Sequence, residues 1–350
     1  MNTFGEKLRF TSFGESHGVA VGGVLDGYPA GISVDFSFIQ KELFLRSPSS
    51  VMHATQRIES ENVEYLSGIF NGVSLGTPIA FIIRNENNKI EDYSHLKDVF
   101  RPGHADYTYQ VKYGYRDYRG GGRASARETV SRVVAGALAY QWLLKKGVKI
   151  YSFVDTIGNV SLPNGYVVRD MDRVEASPLR CPDMDTENKM NSLLNEIASK
   201  GNTIGGAVTC IIKGLPAGVG NPIFGKLQQI LASAFMSIPA AKCFEYGLGH
   251  NAANFLGSDS NDAMAFVDGA PKFLSNNAGG ILGGISTGED IVCRVVFKPI
   301  SSIGMEQDTI NNCGDNVKIR VGGRHDICAA PRAVAVVKAM AAITLMDVLL

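Results

Sequence analysis

The stretch Gly27-Tyr-Pro-Ala-Gly31-Ile32 recurs later in the chain as Gly214-Leu-Pro-Ala-Gly218-Val219. Each copy follows a short apolar run and precedes a helical pattern. A second pair keeps the same order, since Gly72-Val-Ser-Leu-Gly76-Thr-Pro-Ile79 recurs as Gly284-Ile-Ser-Thr-Gly288-Glu-Asp-Ile291. Self-similarity of this kind is typical of a duplicated structural unit.

A third pair opens the two longest helical patterns of the chain. Gly121-Gly-Arg123 precedes the first pattern, and Gly322-Gly-Arg324 precedes the second. Three pairs in one order predict a single domain over residues 1–350 that is internally duplicated. Its pseudo-symmetric halves are expected at about residues 1–150 and 205–350, with a connector at 160–190, where the segment Asn164–Lys189 is polar and irregular.

The spacing of apolar residues predicts the elements of both halves. Apolar and β-branched runs between turn residues predict strands at Val19–Asp26, Val63–Phe70, Pro78–Ile83, Lys149–Asp155, Ala207–Lys213, Ile291–Phe297 and Val317–Val321. Helical periodicity predicts Ser37–Leu45, Met190–Lys200, Ile223–Phe235, and the long helices Ala126–Lys145 and Ala329–Leu349. The long helices are apolar nearly all round, which indicates burial between layers. Strands and helices do not alternate regularly, so we predict an α+β fold with two antiparallel sheets around long central helices.

Composition excludes several classes of protein. Hydrophobic residues make up 45% of the 350 residues and charged residues 19%, which excludes bulk disorder. Lys+Arg and Asp+Glu are both 34, without the basic excess of a nucleic-acid binder. The six cysteines show no C-x-x-C pair or zinc spacing, so no metal site is predicted. Neither a signal core nor a membrane span is apparent, and we expect a soluble cytoplasmic protein with free thiols.

Four glycine-flanked segments place histidine and arginine together: Ser16-His17, Arg101-Pro-Gly-His104-Ala-Asp106, Arg119-Gly-Gly-Gly-Arg123-Ala-Ser125-Ala-Arg127-Glu128, and Gly322-Gly-Arg324-His325-Asp326. Histidine titrates near neutral pH, so His17 and His104 are candidates for proton exchange with a leaving phosphate or a cofactor. Asp326 is either the N-cap of the second long helix or a tuned acid or base.

The third segment predicts an anion site. Ser125-Ala-Arg-Glu128 is a capping-box pattern, so a long helix is expected to start there. Three preceding glycines allow close approach of the backbone to a ligand, and a helix N-terminus suits phosphate. Arginines crowd this stretch at Arg101, Arg116, Arg119, Arg123, Arg127 and Arg132. They predict a small polyanionic ligand; alternatively, Arg116 and Arg119 pair with Asp117 or Asp106.

Two further stretches are less specific. Lys298-Pro-Ile-Ser301-Ser302 ends a predicted strand with one cation and two hydroxyls, which could clamp a polar group. Gly14-Glu-Ser16-His-Gly18 matches the G-x-S-x-G nucleophile elbow, so a serine hydrolase using Ser16 is an alternative function. Only one short strand precedes this motif, whereas the elbow needs a preceding sheet.

The ordered motifs resemble the chorismate synthase family from about residue 5 to the C-terminus. They are Thr11-Ser-Phe-Gly-Glu-Ser-His17-Gly, Arg101-Pro-Gly-His-Ala-Asp106, Tyr115-Arg-Asp-Tyr-Arg-Gly-Gly-Gly-Arg-Ala-Ser-Ala-Arg-Glu-Thr129, Ala278-Gly-Gly-Ile-Leu-Gly-Gly284, Lys298-Pro-Ile-Ser-Ser302 and Gly323-Arg-His-Asp326.

The resemblance implies a lyase of the shikimate pathway, at the last common step of aromatic amino acid biosynthesis. It converts 5-enolpyruvylshikimate 3-phosphate into chorismate and phosphate by anti-1,4 elimination. The family requires reduced FMN, which lends an electron and takes it back. It also implies a β-α-β sandwich assembled as a homotetramer. No nicotinamide fingerprint is visible, so we expect an external flavin reductase, with NADPH as an indirect reductant.

The resemblance also implies residue roles. His17 would protonate the departing phosphate, His104 would partner the reduced flavin, and Asp326 would work with flavin N5 in removing the ring proton. Ser16 and Ser125 would relay protons. Substrate anions, or NADP, would be held by Arg46, Arg101, Arg127 and Arg324. FMN would contact Arg123, Ala124, Ser125, Pro239, Ala240, Gly283, Lys298, Pro299, Ile300, Ser301, Ser302 and Arg324.

This chain departs from the family pattern at three places. It reads Arg46-Ser-Pro-Ser49 where the family reads Arg-Arg-Pro-Gly, and Met52 and Asn277 replace a family arginine and histidine. We expect a competent enzyme with weaker anion affinity. The alternative is an FMN- or phosphate-binding paralogue without turnover.

Overall fold

Two five-stranded antiparallel sheets and a pair of long helices organise the chain in the computed structural model. The structure describes residues 1–55, 61–86, 96–163, 166, 171–321 and 325–350. The fold is therefore α+β, as predicted. The second member of the third repeat pair, residues 322–324, lies outside the described residues.

The strands are β1 Thr3–Phe4, β2 Arg9–Phe13, β3 Ala20–Asp26, β4 Val63–Tyr65, β5 Ile69–Phe70, β6 Val73–Ser74, β7 Ile79–Arg84, β8 Lys149–Ile157, β9 Val160–Ser161, β10 Gly206–Lys213, β11 Ala241–Tyr246, β12 Met264–Val267, β13 Ala270–Phe273, β14 Ile281–Leu282, β15 Ile285–Ser286, β16 Ile291–Phe297, β17 Glu306–Ile310 and β18 Asn316–Arg320. The helices are α1 Phe36–Arg46, α2 Asp106–Tyr113, α3 Thr129–Lys145, α4 Met171–Ala176, α5 Met184–Ser199, α6 Leu227–Met236, α7 Gly257–Ser260 and α8 Ala330–Leu349.

Sheet 1 is formed by strands between residues 3 and 84, and sheet 2 by strands between residues 149 and 297. Sheet 1 has the strand order β1-β2-β3-β7-β4, and sheet 2 has the order β11-β16-β10-β8-β9. Central strands bury alternate residues, as β16 does with Ile291, Cys293, Val295 and Phe297. Helix α3 packs on β2 and β3, helix α8 packs on β8 and β10, and the two helices pack on each other. The pair explains why both helices are apolar on nearly all faces.

The two long helices approach closely at one glycine. A Cβ atom built on Gly136 of α3 would lie 2.4 Å from both Cα and Cβ of Ala339 on α8. Real Cβ atoms do not come this close to backbone, so no larger residue fits without moving a helix. This crossing fixes the distance between the two sheets.

The repeated glycine turns make the same hydrogen bonds in both halves. Ser74 Oγ accepts from Ile32 N at 2.9 Å and donates to Pro29 O at 2.6 Å. Ser286 Oγ accepts from Val219 N at 2.9 Å and donates to Pro216 O at 2.6 Å. Each serine is buried.

Some predicted elements differ in the structure. The single strand predicted at Val63–Phe70 is split into β4 and β5, because Gly68 turns the chain with a φ of 81°. The predicted capping box is wrong in detail: Ser125 Oγ accepts from Arg127 N and caps a 3-10 turn, while α3 begins at Thr129. The connector is not irregular throughout, because it contains α4 and the start of α5. Asp183 caps α5 by accepting from Thr186 N.

Helix α2 was not predicted, although it begins at Asp106 within a quoted motif. Its N-terminus positions one of the candidate site carboxylates. Within the described ranges, no helix combines the length and apolar character that crossing a bilayer requires.

We expect Gly136→Ala to lower the free energy of unfolding by about 1–3 kcal/mol, because the new methyl group overpacks the α3–α8 crossing. Gly257→Ala is the matched control, since a Cβ built on Gly257 meets no heavy atom within 4 Å. Urea denaturation followed by circular dichroism measures both. Equal stability of the two variants would contradict the proposed tight crossing.

Candidate active site

Three consecutive glycines bring distant side chains together. Gly120, Gly121 and Gly122 all have positive φ, at 67°, 113° and 53°. A Cβ atom on Gly120 would lie 2.1 Å from His17 Cε1, and one on Gly121 would lie 2.9 Å from His104 Cε1. One on Gly122 would lie 2.4 Å from an oxygen of Glu15. The glycines therefore make room for two imidazoles and a carboxyl group, rather than only for a ligand.

His104 is oriented by a buried carboxylate. Its Nδ1 donates to Asp106 Oδ1 at 2.8 Å, and Arg101 donates to both oxygens of Asp106 at 2.7 and 2.8 Å. Burial alone would raise the pKa of Asp106, but hydrogen bonds from Arg101 and His104 lower it far below its ordinary value. Asp106 is therefore ionised, and it holds the ring of His104 in one tautomer.

His17 is buried beside Ser16, whose hydroxyl lies 3.1 Å from His17 Nδ1. Burial raises the pKa of Asp117, but hydrogen bonds from Arg119 outweigh the effect of burial and the net shift is downward. His17 lies close enough to contribute to this lowering of the Asp117 pKa. Ser16 is only 1% exposed, which does not suit the exposed nucleophile of a hydrolase elbow.

Arg123 connects the glycine segment to sheet 1 and to the end of α6. Its guanidinium donates to Ser12 Oγ at 2.6 Å, and Ser12 Oγ donates to Glu128 at 2.9 Å. Arg132 binds Glu128 at 3.0 Å and donates to Ser237 Oγ at 2.6 Å. This network brings the predicted flavin residues Pro239 and Ala240, which follow Ser237 in the chain, toward Arg123.

A cavity of about 650 Å³ lies between these segments. Its lining includes His104, Arg123 and Ala124, with aromatic rings from Phe13 and Tyr109. This size is typical of sites for cofactor-sized ligands.

Glu15 and Asp117 both line this cavity, but their pKa values are shifted in opposite directions. Burial raises the pKa of Glu15, while Arg123 opposes that shift. The neighbouring Asp117 has its pKa lowered, so the two carboxyl groups hold protons differently.

Arg46 lies at the centre of a second charged cluster at the start of α3. It donates to Thr129 Oγ1 at 3.0 Å and to Ala126 O at 3.1 Å, and it pairs with Glu61. Arg127 also binds Glu61, at 3.3 Å. Burial lowers the pKa of Arg46 to about 10, against the attraction of Glu61.

Asp326 joins this cluster from the start of α8. Its Oδ1 accepts from Thr55 N at 2.7 Å, and its Oδ2 accepts from Arg332 at 2.9 Å. Arg332 also donates to the carbonyl of Arg46 at 3.0 Å. Asp326 is thus held by two donors and is not a helix cap, because the N-cap of α8 is Ala329.

Asn85 links the segment around His17 to the charged cluster around Arg46. Its side-chain amide donates to the carbonyls of Glu15 and Gly18 at 3.1 and 2.9 Å, on either side of His17. Its carbonyl oxygen accepts from Arg127 at 3.0 Å. The imidazoles and the start of α8 therefore border one connected region.

Lys298 and Ser301 close the region on the side of His104. Lys298 donates to Gly103 O and to Ser301 Oγ, both at 2.6 Å, and Ser301 donates to Gly103 O at 2.7 Å. The backbone of Lys298 donates to Ala240 O at 2.9 Å. Burial, and then repulsion from Lys242, lowers the pKa of Lys298. Among the described residues, no carboxylate forms an ion pair with Lys298 or Lys242.

Other predicted residues are less well connected. Pro299 is exposed, Ile300 O accepts from Thr203, and Ser302 is buried. Gly283 lies in the β14–β15 turn, where no described contact joins it to this region. Arg324 lies outside the described residues. Arg119 pairs with Asp117 and Arg116 lies 3.6 Å from Asp106, which is the alternative pairing considered for both arginines.

The three departures from the family pattern lie in two separate parts of the fold. Ser49 shares a hydrogen bond with Ser47, and Met52 is 42% exposed. Asn277 donates its backbone N–H to Asp262, far along the chain from the imidazoles.

Five carboxylates complete the site, and the sequence did not predict all of their roles. Glu15 and Glu61 were not predicted, whereas Asp106, Asp117 and Glu128 were predicted only as partners of an arginine or of a helix cap. Four of them stand within quoted motifs, so their position beside histidine or arginine was the available signal. Arg332 was not predicted as a site residue.

The chain is similar to known proteins over nearly its whole length. A family model described as chorismate synthase matches residues 8–350. A chorismate synthase of Bacteroides thetaiotaomicron is 51% identical over 346 residues, covering 99% of this chain and 97% of the relative. One from Parabacteroides distasonis is 51% identical over 350 residues, covering 100% and 98%. A solved structure described as the crystal structure of chorismate synthase has a TM-score of 0.78 and 32% identity, covering 99% of this chain and 92% of that one. On these matches, the chain belongs to the chorismate synthase family.

Proposed function

We propose that this chain converts 5-enolpyruvylshikimate 3-phosphate into chorismate and phosphate in the region around Gly120–Gly122, with reduced FMN as cofactor. The observation that carries the proposal is the packing of His17, His104 and Glu15 against three consecutive glycines. Chorismate synthases are lyases of the shikimate pathway, so the chain acts in aromatic amino acid biosynthesis.

The substrate carries one phosphate and two carboxylates, and the site must offset their desolvation. Arg46, Arg127 and Arg324 are the proposed anion ligands. Arg101 is held by Asp106 on both oxygens, so its proposed contribution is the positive charge that it keeps beside His104. A preorganised set of guanidinium groups stabilises charge on a leaving phosphate better than water does.

His17 is the proposed acid that protonates the departing phosphate. The hydroxyl of Ser16 contacts one of its ring nitrogens, which orients the imidazole. Ser125 lies in the same segment as the three glycines, and we propose that it supports proton transfer with Ser16. Asp326 is the proposed carboxylate for removal of the ring proton, because its two hydrogen bonds fix its orientation.

The residues present fit FMN. The ammonium groups of Lys298 and Lys242 repel each other without a described carboxylate between them, which suits a phosphate. Arg123, Ala124 and His104 line a cavity large enough for a flavin ring. We therefore propose that His104 faces the ring and that Lys298 and Ser301 hold the phosphate. Bound there, reduced FMN would supply an electron transiently to the substrate, with no net redox change.

We further propose a β-α-β sandwich with pseudo-duplicated halves, assembled as a homotetramer. The matching hydrogen bonds of Ser74 and Ser286 support the duplication. Exposed aromatic side chains at Phe70, Phe224 and Phe266 support burial against other subunits. A cytoplasmic location and an external flavin reductase that draws on NADPH complete the proposal.

Anaerobic incubation with substrate and FMN, with and without dithionite, tests the reaction. We expect equal amounts of chorismate and phosphate with dithionite and neither product without it. Asp326→Asn should lower kcat by about 10²–10⁴-fold, the usual contribution of a general base. Asp315→Asn, at an exposed carboxylate, is the matched control. Turnover without a reductant would contradict the mechanism, and binding without turnover would favour the paralogue.

Flavin binding tests Lys298 separately. Lys298→Ala should raise the Kd for FMN about tenfold or more, the loss of one charge-assisted hydrogen bond. Because the pKa of Lys298 is lowered, its charge and the affinity for FMN should fall as pH rises through that pKa. Lys298→Arg should flatten this dependence, and Lys272→Ala, at an exposed lysine, should leave Kd unchanged. Flavin fluorescence gives the Kd, and an unchanged value for Lys298→Ala would remove this residue from the site.

A further inference from the structure

We propose that Arg180, in the connector, is a positioning residue that holds residues 45–55 in the geometry needed to bind substrate. We call residues 45–55 the strap. The inference rests on the proposed function, because the strap carries Arg46 and supports Asp326.

The guanidinium of Arg180 binds the strap through several donors. Its Nη2 donates to Leu45 O at 3.3 Å, to Ser50 O at 3.0 Å and to Ser50 Oγ at 2.8 Å. Its Nη1 donates to Glu175 O at 2.7 Å and to Ser177 O at 2.9 Å within the connector. Arg180 is 3% exposed. A planar guanidinium can serve this many carbonyls at once, whereas a lysine ammonium cannot.

The backbone of Arg180 is anchored to sheet 2. Its carbonyl accepts from Val154 N on β8 at 2.9 Å. Its φ of 58° is left-handed, a conformation that is strained for a residue other than glycine. Surrounding contacts must maintain such a conformation, and here they aim the side chain at the strap.

Two further contacts bind the strap to the connector region. Met52 N donates to Pro178 O at 3.0 Å, and His53 Nε2 lies 2.7 Å from Asn191 Oδ1 on α5. His53 also has a left-handed φ, at 59°. Both strained residues of this region therefore lie at the same contact between strap and connector.

The other side of the strap binds the candidate catalytic carboxylate. Thr55 N donates to Asp326 Oδ1, and Ile327 N donates to His53 O at 3.1 Å. Arg332, which binds Asp326, also donates to the carbonyl of Arg46. Loss of Arg180 therefore loosens the strap at the end that carries Arg46, and it weakens the backbone support of Asp326.

The proposed flavin residues stand apart from these contacts. Arg123 binds Ser12, and Lys298 binds Gly103 and Ser301. A positioning role for Arg180 should thus affect the substrate and leave FMN unaffected. A purely structural role would weaken both, together with stability.

The test compares Arg180→Lys and Arg180→Ala with the wild type. We expect KM for the phosphorylated substrate, and its Kd by calorimetry, to rise about tenfold or more, while the Kd for FMN stays within about twofold. Arg173→Ala is the matched control, because Arg173 lies in the same connector and binds Glu187 at 2.6 Å. We expect it to leave KM unchanged.

If Arg180→Ala does not fold, two milder variants test the same inference. Ser50→Ala and Asn191→Ala each remove one strap contact, and each should raise KM by a few-fold without changing the Kd for FMN. The inference is overturned if folded Arg180→Lys binds substrate like the wild type, or if its affinity for FMN falls by the same factor. Absence of turnover in the wild type would defeat the proposed function alone, since the calorimetric Kd would still decide the role of Arg180.

Discussion

The close crossing of α3 and α8 at Gly136 and Ala339 is the constraint on which the rest of the structure depends. Each helix carries one sheet on its outer side, so the crossing sets how the two sheets face each other. It also brings the first residues of both helices to Arg46, which binds Thr129 through its guanidinium and Arg332 through its carbonyl. The candidate site is built at this meeting point. Gly136, in the core, therefore determines where the polar residues at the start of α3 and α8 come together.

Charge balance is the second organising principle. Arg101, Arg119 and Arg127 are all buried or half-buried, and each has a carboxylate partner in Asp106, Asp117 or Glu61. Removing one partner of such a pair is costly because it leaves an uncompensated charge. The arginines are therefore fixed before any ligand arrives. This pre-organisation suits an enzyme that must hold a substrate with three anionic groups, because little ordering is left to be done on binding.

Much of the fold and of the candidate site was predicted from the sequence. The predictions that failed did so for physical reasons. Apolar periodicity located β3, β10, β16, α3 and α8, because these elements lie in the core and periodicity reports burial. The glycine-flanked motifs predicted His17, His104 and Arg123 as site residues, and the structure brings these three residues to one region. Pairings across the chain were out of reach, such as Arg180 with Ser50 or Asp326 with Thr55, because they depend on tertiary contacts that no local pattern encodes.

Local rules also failed where a second partner competed. Glu128 fits a capping box with Ser125, but Ser12 and Arg132 take its carboxylate. The three glycines before it were expected to admit a ligand, whereas their missing side chains admit His17, His104 and Glu15. In both cases the role of the residue type was predicted correctly, but the group that it contacts in the structure was not.

The most direct test is a crystal structure of this chain with oxidised FMN and 5-enolpyruvylshikimate 3-phosphate. We predict both ligands in one cavity, with the flavin ring beside His104 and Arg123 and the substrate between His17 and Asp326. Ligands bound at separate sites, or a substrate that contacts neither His17 nor the start of α8, would contradict it.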